Sequence, residues 1–504
     1  MTVRTRRVAC LLVSIPALTI ILAARGQVDV TAAAVQLQLA DVLLAQGEYR
    51  NALGVYRHVV RVEEPDLRTR ARIGTVRAAL RLGLFDLAAT HALSLRDAAP
   101  NDPRMLTLYG DSLWSQGLFA QAEEAYRAAV AIDPTYPRGR HGVAKALATR
   151  NQLGPALDEA RAALAASPDD LELHHTVGYL LERLRRYEEA AVSLGNYLEL
   201  LPLGDRGEKV LWCRNEIAFL RSFGKARPFD IDEADQQGTH TVPFRLVRDK
   251  VVIEVKINGR ETVDFALDTG AEQTVITEKT ARRLGVSGMG QTLSAGVGLI
   301  GFRGMQIGRL GSVAIGSLRV GNVPCLIKTP AISGLPMGEL ESLSPLAMGL
   351  SVSVDYRTRR VTLGRLPEDP RPAVYELPLR MHRLATVQGT VNQQPASFIV
   401  DTGGEVISVS SSTAQSLFRP AERRRIALRV YGTSGLDPDA YLMPGVTLAF
   451  DKMLLSNQAV VVLNLRAPSV LLGYQIGGII GHKLLSKYRV EFDMERSVLR
   501  LREL

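Results

Sequence analysis

Asp268-Thr269-Gly270-Ala271 and Asp401-Thr402-Gly403-Gly404 decide how this chain is read. The first is entered through the apolar run 263–267 and the second through 397–400, so each ends a strand on a carboxylate. Ionising an aspartate at the end of a buried strand is costly unless hydrogen bonds hold the charge. A chain that does this twice, with the same two following residues, points to chemistry. Two such carboxylates face to face would share one proton and activate a water between them.

The flanking sequence repeats with the motif. Residues 242–247 and 251–257 alternate apolar and polar side chains, Asn258-Gly259 supplies a tight hairpin turn, and 262–267 return into the first tetrapeptide. Beyond Asp268, Thr274-Val275-Ile276 reads as a strand and Thr277 as the N-cap of a short helix to Leu284. In the second copy a turn at 390–393 leads to Phe398-Ile399-Val400, and a strand at 406–409 precedes a helix whose Ser412 and Gln415 are spaced as a capping box. Alignment on the aspartates carries Leu284 onto Leu417. Both copies end in strand, charged turn, strand: Val354-Asp355-Tyr356 to Val361-Thr362-Leu363, and Phe492-Asp493-Met494 to Leu499-Arg500-Leu501. The boundaries predicted are 241–365 and 374–504, joined by the proline-rich connector 366–373.

Both copies resemble the retropepsin-like aspartic protease family, a small all-β barrel that supplies one catalytic aspartate per unit and works as a pair. The resemblance rests on Asp-Thr-Gly after a buried strand, then strand, short helix, Gly-rich hairpin and the apolar-apolar-Gly step Ile479-Ile480-Gly481, followed by Leu484-Leu485. It implies that Asp268 and Asp401 hold the lytic water in one site within the chain, one as base and the other protonated. It implies further that Thr269 and Thr402 exchange hydroxyl-to-backbone hydrogen bonds, and that Gly270 and Gly403 let the two loops approach closely. Ala271 is the usual follower of the motif, and Gly404 departs from it.

The stretch Gly296-Val297-Gly298-Leu299-Ile300-Gly301 also fits a dinucleotide fingerprint. No helix follows, because Gly304 and Gly308 interrupt the next residues, and no ribose-binding acid stands at the required distance. The resemblance makes it a flap, with Gly298 and Gly301 near its tip and residues 431–444, led by Tyr431 and Gly432, as the opposite flap. In the first copy the counterpart of Ile479-Ile480-Gly481 is expected at Leu335-Pro336-Met337-Gly338, followed by an extra stretch, 339–348.

Before residue 225 the period is helical. A small residue recurs at Ala52, Ala88, Ala122, Ala156 and Ala190 and a closing proline at Pro65, Pro100, Pro134, Pro168 and Pro202, at intervals of 34 to 36 residues. A Gly-x-aromatic step precedes the alanine, as in Gly47-Glu48-Tyr49, Gly83-Leu84-Phe85 and Gly117-Leu118-Phe119, and Tyr56 and Tyr126 follow it. This resembles the tetratricopeptide repeat, whose helix-turn-helix units stack into a superhelix with a concave groove for a peptide or partner protein. In the later units Asn151 and Arg185 replace the turn glycine, and Ala92, Ala160 and Leu194 replace the aromatic. The predicted array spans 31–224, with 203–224 as its closing helix and 225–240 as a polar linker.

At 504 residues the chain exceeds one core, and its 46% hydrophobic and 22% charged content is that of ordinary globular protein. The net charge of +9 is spread over solvated helix faces, and no basic block is interleaved with aromatics, so nucleic acid is not an expected partner. Arg4, Arg6 and Arg7 precede the apolar run 8–24, the pattern of a signal peptide or membrane anchor in residues 1–30, with candidate cleavage sites near Ala23-Ala24 and at Ala32-Ala33-Ala34. Cys213 and Cys325 show no metal or redox spacing and read as buried thiols. No HExxH, GxSxG, Walker loop or Cys/His cluster occurs, so the expectation is no cofactor and no metal. The sequence therefore predicts an N-terminal all-α repeat superhelix followed by two all-β acid-protease barrels. The expected function is a periplasmic or otherwise extracytoplasmic aspartic endopeptidase that acts on polypeptides, with the repeats docking substrate or a partner and membrane contact confined to the N-terminal segment. The alternative is a non-catalytic peptide-binding scaffold with degenerate protease domains.

Overall fold

The computed structural model describes residues 30–201, 208–298, 302–328, 340–417, 425–432 and 434–504. The apolar run 8–24 expected to be a signal peptide or membrane anchor, Gly301 and the Leu335 to Gly338 segment lie outside the described residues. Among the described residues, no helix is long and apolar enough to cross a membrane.

Ten helices pair into five repeat units: α1 (Val30–Ala45) with α2 (Tyr49–Val59), α3 (Pro65–Arg81) with α4 (Phe85–Ala98), α5 (Pro103–Ser115) with α6 (Phe119–Ile132), α7 (Pro137–Thr149) with α8 (Leu153–Ala166), and α9 (Leu171–Arg183) with α10 (Tyr187–Leu200). Ala52, Ala88, Ala122, Ala156 and Ala190 are all fully buried, because any larger side chain would separate the two helices of a unit. A closing helix, α11 (Glu208–Ser222), continues the stack, and its Cys213, Phe219 and Leu220 pack in one core with Tyr187 and Leu194.

The β region contains two barrels of the same topology. In the first, the strands Lys250–Ile257, Glu261–Leu267, Glu341–Leu343, Thr274–Thr277, Leu318–Lys328 and Phe302–Ile315 are hydrogen-bonded in that order, and pairing of Lys256 with Ala314 and of Ile257 with Val313 closes the ring. In the second, Leu384–Val391, Gln394–Val400, Gly478–Ile480, Ser408–Ser410, Met453–Leu463 and Tyr441–Phe450 follow the same order, closed by Thr390 with Ala449 and Val391 with Leu448. Closure removes the exposed strand edges that an open sheet would leave.

A six-stranded antiparallel sheet joins the barrels. Its centre is the pairing of Val352 with Phe492, Ser353 with Glu491 and Val354 with Val490, so the closing hairpins of the two copies share one sheet and one hydrophobic core.

Three local readings change. The single strand expected at 242–247 splits at Phe244: Thr239–Pro243 enters the joining sheet and Arg245–Val247 enters the first barrel. The helix Ser411–Leu417 is capped by Ser410, whose hydroxyl accepts the Thr413 N–H at 3.1 Å, so the cap lies two residues before the Ser412 read from the sequence. Residues 225–240, read as a polar linker, lie against the first barrel, with the Asp230 N–H donating to the Gly321 carbonyl at 2.9 Å and the short helix Glu233–Gln237 following.

The array seats on the barrels through its turns. Gly47, Gly83, Gly117, Asn151 and Arg185 share one left-handed backbone conformation, φ between 57° and 80°. Left-handed backbone costs a non-glycine residue about 1–2 kcal/mol, and the structure shows what offsets it in the last two units. Asn151 donates to the Met494 carbonyl at 3.1 Å, and Arg185 donates to the carbonyls of Phe229 at 2.7 Å and Met348 at 2.6 Å. At Gly83 and Gly117 the backbone instead approaches closely: added methyls would stand 2.8 Å from Val470 and 2.7 Å from Ser397. The departures from glycine are thus docking contacts of the array.

Candidate active site

The two Asp-Thr-Gly loops meet at the centre of the chain. Each aspartate follows directly on a strand, and its N–H donates across the barrel to the strand alongside: Asp268 to the Leu343 carbonyl and Asp401 to the Ile480 carbonyl, both at 2.9 Å. Because the partner strand runs parallel to the one that carries the aspartate, the end of that strand is fixed from two sides.

The threonines lock the loops to each other. The Thr269 hydroxyl donates to the Val400 carbonyl at 2.7 Å and accepts the Thr402 N–H at 3.0 Å. Reciprocally, the Thr402 hydroxyl donates to the Leu267 carbonyl at 2.7 Å and accepts the Thr269 N–H at 3.2 Å. Both side chains are buried, so all four bonds are shielded from water.

The glycines explain how close the carboxylates come. A methyl on Gly270 would stand 2.6 Å from Asp401 Oδ1, and one on Gly403 would stand 2.8 Å from the Asp268 carboxyl carbon. Each carboxylate therefore lies over the other loop's glycine, where any side chain would expel it. Inner oxygens accept from their own loops: Asp268 Oδ1 from the Gly270 N–H at 3.0 Å, Asp401 Oδ1 from the Gly403 N–H at 2.7 Å. Burial, and then the charge of Asp268, pushes the Asp401 carboxyl up to about 7, with a hydrogen bond between the two carboxyl groups adding to the effect.

The strand beside the first aspartate corrects the sequence reading. The expected counterpart of Ile479-Ile480-Gly481, Leu335-Pro336-Met337-Gly338, lies outside the described residues. The position itself is filled by Glu341–Leu343: Ala266 pairs with Ser342 and Leu267 with Leu343, as Ile399 pairs with Ile479 and Val400 with Ile480. Hydropathy missed it because this copy replaces the apolar step with Glu341-Ser342-Leu343-Ser344. Each polar side chain there is used. Glu341 accepts from the Thr277 N–H and hydroxyl, Ser344 donates to the Ala271 carbonyl at 2.6 Å, and Ser342 donates to Asp268 Oδ2 at 2.6 Å. In the second copy a methyl on Gly481 would lie 2.8 Å from the Gly404 carbonyl, so glycine is required there. Gly404 itself leaves room beside Asp401, since a methyl there would stand 2.9 Å from Asp401 Oδ2.

Flap residues from both copies come together. The Gly296 N–H donates to the Ser434 hydroxyl at 3.1 Å and the Ser434 N–H donates to the Val297 carbonyl at 2.9 Å. Gly298 lies against the Ser434 backbone and Gly432 against Val297, while Tyr431 is exposed. Gly301 is outside the described residues.

A contact that sequence did not suggest ties the array to this site. The hairpin turn Met381-His382-Arg383 reaches the repeats, with the His382 ring beside Trp114, Phe119 and Tyr179. Arg383 lies 4.8 Å from the Trp212 ring centre and pairs at 3.4 Å with Glu272, which directly follows Ala271. Burial and the neighbouring acids Glu272 and Glu182 keep Glu216 protonated above its ordinary range, and burial pushes Glu182 up to about 7. Among the described residues, no group of three or more His, Cys, Asp or Glu could hold a metal ion, and Cys213 and Cys325 are buried and unpaired.

Comparison with known proteins agrees with this architecture. A family model described as aspartyl protease matches twice, at residues 253–352 and 387–484, and one described as tetratricopeptide repeat matches at 37–103 and 73–137. Among solved structures, a thermophilic tetratricopeptide-repeat protein of Thermus thermophilus is 22% identical, over 38% of this chain and 98% of its own, with a TM-score of 0.32. PilF of Pseudomonas aeruginosa is 17% identical, over 38% of this chain and 85% of its own, with a TM-score of 0.27. No curated protein matches the chain significantly.

Proposed function

From a chain that joins a tetratricopeptide-repeat array to two aspartyl-protease domains, we propose an aspartic endopeptidase with a single site made by Asp268 and Asp401 within one polypeptide. The observation that carries this reading is the reciprocal threonine lock, which sets the two carboxylates against each other's glycines. In the reaction, one carboxylate takes a proton from the water as its oxygen attacks the scissile carbonyl carbon, while the other gives its proton to the carbonyl oxygen. The tetrahedral adduct collapses as the amide nitrogen receives the first proton and the second returns to its carboxylate, breaking the C–N bond. The water-excluding lock matters because charge stabilisation is stronger in a dry site.

The repeats serve as the docking surface for a polypeptide substrate or partner. Because Met381, His382 and Arg383 already lie against α5, α9 and α11, docking falls to the amino-terminal units. The leader at 8–24 places the molecule outside the cytoplasmic membrane, anchored or released.

The test is cleavage of a diverse peptide library by the purified full-length chain between about pH 3 and 7. D268N and D401N should each abolish it without unfolding the protein. Full activity in either variant sinks the shared site, and a folded wild type that binds peptides but cuts none is a binding scaffold instead.

A further inference from the structure

The two halves of the site are built unequally. Asp268 has a donor on each oxygen: the Gly270 N–H on Oδ1 at 3.0 Å and the Ser342 hydroxyl on Oδ2 at 2.6 Å. At the position in the second barrel that matches Ser342 stands Ile479, a hydrocarbon, so no hydroxyl reaches Asp401 from that strand. The space beside Asp401 Oδ2 is left open by Gly404.

We infer that Ser342 is a positioning residue that divides the labour of the pair, its donated hydrogen bond fixing Asp268 as the ionised, water-activating carboxylate and leaving the shared proton on Asp401. This rests on the endopeptidase reading above and adds to it the assignment of base and acid. The physical reason is that a hydroxyl held 2.6 Å from a carboxylate oxygen stabilises the charged form and does little for the neutral one. Ser342 is 8% exposed, and its backbone is held between the strands of Ala266 and Val275, so its hydroxyl is held in place beside Asp268. Asp401, buried and facing that charge, is the member that resists ionisation. Other charged groups on the elements packed here are otherwise engaged or more remote: Glu341 is bonded to Thr277, Glu272 is paired with Arg383, Glu405 is exposed, and Lys250 acts on Asp401 only through its field.

The experiment compares full-length wild type with S342A, S342I and S342T. In S342A and S342I the acid limb of the kcat/KM profile should move up by about one pH unit, with the basic limb and KM unmoved, and S342T should restore the wild-type profile. A uniform fall in kcat with both limbs in place would make Ser342 merely structural and overturn the inference. Aspartate-selective carbonyl-13C titration, assigned with D268N and D401N, reads the same asymmetry without turnover. The first proton to leave the pair should come from Asp268 in wild type, and this order should weaken in S342A. A titration unchanged by S342A refutes the role of Ser342 while leaving peptide cleavage by the wild type to decide the endopeptidase reading.

Discussion

Replacing Thr269 with valine is the sharpest test of how the two barrels are held together. Valine keeps the shape of threonine but removes the hydroxyl, so the Val400 carbonyl loses its donor and the Thr402 N–H its acceptor. Both groups stay buried, and each buried polar group left unsatisfied costs about 1–3 kcal/mol. T269V should therefore loosen the paired loops by about 2–6 kcal/mol, whereas T269S, which keeps both bonds, should lose less than about 1.5 kcal/mol. T402V orphans the mirror-related pair, the Leu267 carbonyl and the Thr269 N–H, and should fall in the same range. A chain of several domains has no single unfolding free energy, so the measurement is native-state hydrogen exchange of peptides spanning 267–271 and 400–404. A loss of about 2 kcal/mol corresponds to exchange faster by about thirtyfold in both segments, although only one residue was changed. Protection in T269V equal to that in T269S would refute the reasoning, because it would mean that the hydroxyl bonds contribute nothing.

Five further outcomes are expected. Peptide cleavage should fall as pH rises through about 7, where Asp401 gives up its proton. Because that folded value lies above the ordinary 3.8, stability should be fullest below about 4 and decline up to about 7, and D401N should flatten the decline in pH-dependent denaturation. R383A removes the cation that offsets buried Glu216 and the half-buried Glu182 and Glu272, so its destabilisation should be larger at pH 8 than at pH 5. R185A should weaken the seat of the array on the barrels by about 2–4 kcal/mol, read as faster native-state hydrogen exchange of the segments around Phe229 and Met348, and R185G by about 1 kcal/mol less because glycine relieves the left-handed backbone. G270A, whose methyl would press on Asp401, should abolish cleavage in a folded protein; full turnover would show that the loops are not as close as 2.6 Å implies.

What the sequence determined by itself was everything with a local period. The recurrent alanines and turn residues specify helix pairs because those contacts form within a unit of 34 to 36 residues. The duplicated strand-Asp-Thr-Gly-strand-helix order specifies each barrel because alternation, turn glycines and caps act over a few residues. The structure alone decided what depends on pairing across long separations. The apolar step of the second barrel could be found by hydropathy, but Ser342 could be placed beside Asp268 only by following the parallel pairing of Phe265, Ala266 and Leu267 with Glu341, Ser342 and Leu343. Likewise, Asn151 and Arg185 look like defects in a repeat until Met494, Phe229 and Met348 are brought against them. A hydrogen bond between residues 74 or 163 positions apart leaves no period in the sequence. Its partners come together only when the whole chain has packed, and that is where the two like tetrapeptides become an unequal pair.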